Sequence, residues 1–260
     1  MAQVISGKLA NTHISTVGFT ANEDYVKHKK LTRYSLADTM GEAPRDYSIQ
    51  IIKQEDKPEV LKFLRRFFFR DEPLNDSIEL IPRGENSTCV PLEEYSMSSI
   101  DENLSLKAVS SAGNIVGVQL NGTTVKPEDT DEPDFIKNCD NIKFKKILRL
   151  LHHVDRKVAV LDRYPGSKIL DVKIISVDDG CRGKGIAAAL CQKTVDMAKG
   201  LNYNYIRTDA SSHYTAKLCK RLSFEQIFEL KYQDYVDSNG KPIFTPAYPH
   251  ISISTYIKKL

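Results

Sequence analysis

The chain has 260 residues, of which 41% are hydrophobic and 27% are charged, and its formal net charge at pH 7 is +3. These values are ordinary for a globular protein and exclude the basic excess that is typical of nucleic-acid-binding proteins. No apolar run reaches the roughly 18–20 residues that a membrane span needs, and the start of the chain has no apolar stretch of signal-peptide length. We therefore expect a soluble cytoplasmic protein without a nucleic-acid or membrane partner.

The first half of the chain contains a poorly patterned segment followed by a strand and a helix. Residues 1–45 show no sustained periodicity, and we predict a flexible or peripheral arm there and a folded domain over 46–260. A strand is predicted at 47–53. The apolar residues of 60–68 then recur at helical spacing, and this helix should stop at Pro73.

The remaining elements alternate between strands and helices. Residues 76–103 should be mostly loop with one short helix, and a hairpin, a helix and a buried strand follow. The predicted ranges, in chain order, are strands at 106–110 and 115–124, a helix around 144–151, a strand at 169–177, a helix at 186–200, a strand at 203–208, a helix at 211–222, and strands at 224–236 and 250–257. This order predicts an α/β protein with a mixed sheet.

The five cysteines give no sign of a metal or redox site. They lie far apart, and none forms a C-x-x-C pair. We therefore predict reduced thiols, no bound metal and, for the whole protein, a monomer.

The turn after the buried strand is rich in glycine and opens a helix. Gly183 and Gly185 lack a Cβ, so a ligand can approach the backbone, and the N–H groups of a helix start attract phosphate. A plain connecting turn is the alternative interpretation. The spacing Arg182-x-x-Gly185-x-Ala187 resembles the pyrophosphate loop of the GNAT superfamily of acetyl-CoA-dependent N-acetyltransferases.

Two further blocks narrow the resemblance. The sequence Asp71-Glu72-Pro73-Leu74-Asn75 and the block that runs from Ser211 to Thr215 are similar to those of the insect arylalkylamine N-acetyltransferases, the dopamine N-acetyltransferase group. The similarity covers about residues 46–260. It implies the GNAT fold, with a mixed central sheet of about seven strands and flanking helices, and acetyl-CoA as co-substrate.

The resemblance also implies a binding site for acetyl-CoA. The main chain of Ile175, Ser176 and Val177 should face the pantetheine arm. The pyrophosphate should be held by the loop and helix start, namely Arg182, Gly183, Lys184, Gly185, Ile186, Ala187 and Ala188.

For catalysis, the resemblance assigns the general base to Glu72 and two assisting hydroxyls to Ser211 and Thr215. The family usually has serine at the second place, so Thr215 is a departure. On a helix over 211–222 these two residues would share one face. Capping of the helix by Ser211 or Ser212 is the alternative.

Several other residues are candidates for the site. Phe69, Asp71 and Pro73 are predicted to contact the amine. Cys219 stands where many other GNAT enzymes carry a tyrosine general acid. The alternative bases or proton shuttles are His152, His153 and His213.

The function implied is transfer of the acetyl group of acetyl-CoA to the primary amine of an arylalkylamine, by direct attack in a ternary complex. The substrate class comprises dopamine, tyramine, octopamine, serotonin and tryptamine. A polyamine or agmatine acetyltransferase is a rival, suggested by the acidic loop at 128–132. An acetyltransferase for protein lysines or N-termini and a non-catalytic acyl-CoA-binding module are the others.

Overall fold

The computed structural model describes residues 46–82, 84 and 87–260, so the predicted N-terminal arm at 1–45 lies outside the described residues. The strands are β1 (Tyr47–Ile51), β2 (Leu106–Ser110), β3 (Ile115–Thr123), β4 (Ile169–Val177), β5 (Tyr205–Ala210), β6 (Glu225–Lys231) and β7 (Ser252–Lys259). The helices are α1 (Lys57–Phe67), α2 (Pro73–Ser77), α3 (Val90–Ser98), α4 (Asp134–Lys137), α5 (Ile142–Val158), α6 (Val160–Arg163), α7 (Ile186–Gly200) and α8 (His213–Arg221). Short 3-10 turns occupy Gln54–Asp56, Asp179–Cys181 and Tyr232–Asp234.

The strands form one seven-stranded sheet in the order β1-β2-β3-β4-β5-β7-β6. Only β4 and β5 are parallel neighbours, and α7 makes the crossover that a parallel pair requires. Their pairing ends at Val172 and Thr208, whereas β4 continues along β3 as far as Val177. The sheet therefore opens between β4 and β5, and the predicted mixed sheet is confirmed.

Helices cover the two faces of the sheet. The buried stripe of α1 and the inner face of α5 pack into the main core, as the spacing of their apolar residues predicts. On β3, Val118 belongs to this core, while its neighbour Gly117 faces α7. A Cβ at Gly117 would lie 2.8 Å from Cγ2 of Ile186, so the glycine lets the start of α7 lie close against the sheet.

Several predicted boundaries were wrong. The first helix was predicted to stop at Pro73, but α1 ends at Phe67 and Pro73 begins α2, because Glu72 caps a new helix there. The first strand ends at Ile51 instead of 53, and the last strand is Ser252–Lys259 instead of 250–257. The last strand before the C-terminal turn ends at Lys231 instead of residue 236, because the chain bends into a 3-10 turn where the Tyr232 side chain points inward and is buried. Helix α8 begins at His213 instead of 211, because the Ser212 hydroxyl accepts the Tyr214 N–H and caps the helix. The strand predicted at 203–208 is shifted to Tyr205–Ala210.

Two other features of the described residues bear on the predictions. No helix among them combines the length and apolar character needed to cross a bilayer. All five cysteines are free thiols.

Candidate active site

Glu72 is held at the end of a sharp turn between α1 and α2. Its extended backbone makes it the N-cap of α2, and its carboxylate accepts the backbone N–H of Asn75 at 2.8 Å. The Asn75 side chain donates to the carbonyl of Phe69 at 3.0 Å, which closes the turn from inside. Pro73 suits the first helical position because no N–H is needed there. The D-E-P-L-N block is therefore a cap that fixes the direction of the Glu72 carboxylate.

The surroundings of Glu72 raise its pKa. Burial is the largest cause, and the nearby Asp76 carboxylate acts in the same direction. The Ser211 hydroxyl and the backbone N–H groups of Asn75 and Leu74 stabilise the ionised form and oppose the rise. Glu72 is half-buried, so it keeps access to solvent or a ligand. A carboxylate with a raised pKa is a stronger proton acceptor than an ordinary solvated one.

Ser211 reaches Glu72 from the other half of the chain. It lies in the junction between the end of β5 at Ala210 and the cap of α8 at Ser212. Its hydroxyl is near enough to the Glu72 carboxylate to lower the pKa of that group, and its carbonyl accepts a hydrogen bond from the hydroxyl of Tyr232 at 2.8 Å. The predicted base and the first predicted hydroxyl are thus adjacent.

The relation between Ser211 and Thr215 differs from the expectation. Because Ser211 precedes α8, the two residues do not share a helix face. Thr215 is half-buried in the first turn of α8, and its hydroxyl makes no hydrogen bond among the residues that the structure describes. Its catalytic role stays a prediction.

Substitutions at Thr215 separate a hydroxyl role from a packing role. If the hydroxyl serves the reaction, Thr215→Ser should keep most of kcat. Thr215→Val should lose most of kcat, although valine has nearly the same volume as threonine, because it has no hydroxyl. If the residue only packs, valine is tolerated and serine leaves a small void that costs up to ~1 kcal/mol. The measurement is kcat at saturating substrates together with the thermal midpoint. A valine variant at least as active as the serine variant would remove Thr215 from the mechanism.

The glycine loop has the geometry of an anion site. Gly183 and Gly185 both have φ of +79°, and ideal Cβ atoms built on them meet nothing within 4 Å. The loop from Arg182 to Gly185 is exposed. The first turn of α7 contains no acidic residue, so its free N–H groups and the positive end of the helix dipole face open space without a competing carboxylate.

These features fit the diphosphate of acetyl-CoA, with the pantetheine arm in the opening between β4 and β5. Beyond Val172, the edge of β4 that faces β5 has no strand partner in the sheet, which leaves main-chain groups of Ile175, Ser176 and Val177 available. The Ser176 side chain itself is occupied, because its hydroxyl donates to the carbonyl of Phe67 at 2.9 Å. Arg182 lies 2.6 Å from Asp179 and 3.7 Å from Asp71, both exposed.

A side chain at Gly185 tests the loop. Gly185→Val places a β-branched residue at positive φ, where a non-glycine residue costs roughly 1–2 kcal/mol, and it fills the open space above the backbone. We expect the KM for acetyl-CoA to rise sharply while kcat at saturation changes much less. Gly166→Val is the matched control, because Gly166 has φ of +72° and equally open surroundings before β4 instead of after it. Equal KM values in the two variants would exclude the loop from cofactor binding.

The residues predicted to contact the amine occupy three different environments. Phe69 is fully buried in the main core, so its ring packs against protein instead of lining an open pocket. Asp71 is exposed on the side of Arg182. Pro73 is buried at the start of α2. These residues support the Glu72 turn, and direct contact with the amine stays a prediction for them.

Two of the alternative proton carriers, His152 and His153, are engaged elsewhere, whereas His213 is held through its backbone and stays a candidate. His152 is buried, and its Nε2 lies 2.6 Å from the Thr130 carbonyl. His153 lies beside the Tyr235 ring, and burial lowers its pKa. The backbone N–H of His213 donates to Nδ1 of His250 at 3.2 Å. Cys219 is packed among apolar side chains in a second core cluster, where burial raises its pKa to about 12 and keeps the thiol protonated.

The acidic loop that suggested polycation binding is partly paired with arginines of α5. Arg156 pairs with Asp129 and Asp131, and Arg149 pairs with Glu132. A cavity of about 860 Å³ lies between this loop and α5, and neither Glu72 nor Ser211 is among its lining residues.

A buried charged cluster was missed by the sequence analysis. Arg207 on β5 is 3% exposed and pairs with Asp209 and, at 2.5 Å, with Asp155 of α5. Asp171 of β4 stands opposite Arg207 in the parallel register, and burial raises its pKa to about 6. The presence of charged residues inside predicted strands was the sequence signal that could have revealed this cluster.

Among the described residues, no group of three or more histidine, cysteine, aspartate or glutamate side chains is arranged to hold a metal ion.

The open sheet, the glycine loop at a helix start and the Glu72–Ser211 pair define an acetyltransferase of the GNAT superfamily, for which acetyl-CoA is the co-substrate and a small amine the acceptor. No family model matches the sequence. Arylalkylamine N-acetyltransferase 2 from Aedes aegypti is 30% identical over 83% of this chain and 99% of that chain, with a TM-score of 0.77. The chain belongs to the insect arylalkylamine N-acetyltransferases.

Two other solved structures show the breadth of the fold. A mosquito arylalkylamine N-acetyltransferase like 5b is 28% identical over 82% of this chain and all of that chain, with a TM-score of 0.74. The polyamine N-acetyltransferase of Drosophila melanogaster is 23% identical over 83% of this chain and all of that chain, with a TM-score of 0.73. The likeness to the polyamine enzyme shows a shared fold and carries no information on the substrate. The comparisons therefore leave open whether the acceptor is an arylalkylamine or a polyamine.

Proposed function

We propose that the protein transfers the acetyl group of acetyl-CoA to the primary amine of an arylalkylamine by direct attack in a ternary complex. The observation that carries this proposal is the half-buried Glu72 carboxylate, with its raised pKa, against the Ser211 hydroxyl. An alkylamine has a pKa near ~10.4, so at pH 7 only about one molecule in a thousand or fewer is free base. A base beside the amine removes this deficit of roughly 4 kcal/mol.

In this mechanism, Glu72 accepts a proton from the amine, directly or through a water molecule held by Ser211. The amine nitrogen then forms a bond to the thioester carbonyl carbon, and the carbon–sulfur bond breaks. Main-chain N–H groups of β4 beyond Val172 stabilise the negative charge on the carbonyl oxygen. The attached nitrogen gives up its second proton as the carbon–sulfur bond breaks, and the departing thiolate takes up one proton. Overall, the ammonium loses two protons, of which one ends on the thiol of CoA and the one accepted by Glu72 is released to solvent.

Membership of the family at 30% identity favours an aromatic amine. An exposed tyrosine between two half-buried histidines, close to Ser211 in the chain, supports the same class. Tyr214 is 66% exposed, and its ring lies 5.6 Å from that of His250 and 5.8 Å from that of His213. Rings in this arrangement suit edge or stacked contact with an aryl group.

A dicationic amine is the second candidate, on one specific observation. The carboxylates of Asp171 and Asp209, on the strands that lead to Ser211, and that of Asp155 on α5 surround the cation of Arg207. This net negative charge would favour a second positive charge on the substrate. Pairing of the acidic loop with two arginines of α5 weakens the other reason for a polycation.

The test is an amine panel with acetyl-CoA and detection of the released thiol. We expect kcat/KM for tryptamine, tyramine and dopamine to exceed that for agmatine, putrescine and spermidine. The reverse order would favour the dicationic candidate. Transfer only to peptide amines would favour a protein acetyltransferase. Binding of acetyl-CoA without transfer to any amine would identify a non-catalytic module.

A further inference from the structure

We propose that Tyr232 is a positioning residue that holds Ser211 against Glu72 and ties this pair to the segment between β6 and β7 (residues 232–251, the β6–β7 segment). The inference rests on the proposed function, since it concerns the same base and hydroxyl. It adds a residue that neither the sequence blocks nor the resemblance indicated.

The contact itself is direct. The Tyr232 hydroxyl donates to the carbonyl of Ser211 at 2.8 Å, and Tyr232 is only 3% exposed. Its own backbone N–H donates to the carbonyl of Ile251 at 3.0 Å, which anchors the tyrosine at the beginning of β7. A buried hydrogen bond of this kind excludes water and fixes both partners.

Ser211 needs such an anchor because regular structure ends on both sides of it. The ladder between β5 and β7 stops at Ala210 and Ser254, and the first residue of α8 is His213. The backbone of Ser211 therefore gains its fixed place from contacts outside the sheet and the helix. The β6–β7 segment supplies a second tether nearby, where Nδ1 of His250 accepts the His213 N–H at 3.2 Å.

The charges around the pair are consistent with this role. The Asp76 carboxylate raises the pKa of Glu72, and the charge of Glu72 in turn raises the pKa of Tyr232. Burial and the charge of Glu72 raise the pKa of Tyr232, so its hydroxyl stays protonated and remains a donor throughout the working range. The tether does not switch off at neutral or mildly alkaline pH.

Loss of the tether has a defined consequence for Glu72. The Ser211 hydroxyl lowers the pKa of Glu72, so a Ser211 that drifts away leaves a carboxylate with a higher pKa. The base must be ionised to act, and the acidic limb of kcat/KM against pH should therefore move to higher pH. A substitution that only loosened the core would hydrate Glu72 and move this limb in the opposite direction, to lower pH, because burial is the largest cause of the raised pKa.

Tyr232→Phe is the first test, because it keeps the buried ring and removes the hydroxyl. We expect kcat to fall about 10- to 100-fold, the range for a slight misplacement of a catalytic group, with the KM for acetyl-CoA nearly unchanged. Combined with Ser211→Ala, the loss should be far from additive. Tyr203→Phe is the matched control, because Tyr203 is also buried and its hydroxyl lies 2.7 Å from Thr123, before the start of β5.

A second variant guards against loss of the fold. Replacement of Tyr232 by 4-aminophenylalanine keeps a donor at the same place and should restore kcat and the pH profile. The inference is overturned if the 4-aminophenylalanine variant has a kcat as low as that of Tyr232→Phe. It is also overturned if both variants have the kcat and pH profile of the wild type.

Titration of the Glu72 carboxyl by ¹³C NMR separates the inference from the proposed function. A higher Glu72 pKa in Tyr232→Phe, with none in Tyr203→Phe, supports the tether even if the wild-type protein acetylates no amine. An unchanged Glu72 pKa in an active enzyme refutes the tether and leaves the proposed function intact.

Discussion

Replacing Glu72 by glutamine should lower kcat for amine acetylation by about 10²–10⁴-fold, the range for removal of a general base. Glutamine keeps an oxygen that can accept the Asn75 N–H, so the cap of α2 is retained and the change isolates the loss of the base. Alanine at the same position should add a loss of stability of about 0.5–2 kcal/mol from the missing cap.

The pH profile provides the decisive measurement for this variant. In the wild-type enzyme, activity should fall as pH drops below the pKa of Glu72, which burial raises above its ordinary value. In Glu72→Gln the part of the acidic limb that Glu72 causes should disappear. The value of kcat/KM should still rise with pH, because a larger fraction of the amine is then free base and needs no catalytic base. Near-normal kcat at pH 7 in the glutamine variant would transfer the role to His213 or to bulk water.

Local pattern was sufficient for the elements that build the centre of the fold. The continuous apolar run at 169–177 became β4, and the glycine loop was followed by α7 with the predicted bounds. Both depend on residues close together in sequence. The end of β6 was missed because the turn at Tyr232 arises from a contact with Ser211, which lies 21 residues earlier in the chain. No local period encodes that contact.

The candidate site shows the same division. Resemblance located Glu72 and Ser211, and the structure brings the two together. The assumption of one helix for Ser211 and Thr215 failed because capping by Ser212 starts α8 later. The Arg207 cluster was not predicted at all, because strand register places Asp171 beside it and α5 adds Asp155 from a distant part of the chain.

This cluster carries the second large expected effect. Arg207→Met should lower the free energy of unfolding at pH 7 by about 3–5 kcal/mol, the usual consequence of removing one partner from a buried ion pair. Methionine fills similar volume, so the loss comes mainly from the three carboxylates left without their cation. Arg149→Met is the matched control: its pair with Glu132 is exposed and should be worth less than about 1 kcal/mol.

The pH dependence of unfolding distinguishes lost charge pairing from lost packing. Asp171 has a folded pKa of about 6 against an ordinary value of 3.8, so its carboxyl binds a proton in the native state that it releases in the unfolded state. The contribution of Asp171 to stability therefore falls as pH rises between these values. Without Arg207 the carboxylates of Asp155 and Asp171 should have still higher pKa values, because the guanidinium lowers both. Acidification from pH 7 to 5 then neutralises them in the native state, so urea unfolding should show a smaller deficit for Arg207→Met at pH 5 than at pH 7. A deficit of equal size at both pH values would mean that the guanidinium serves as packing volume and not as the counter-charge of the cluster.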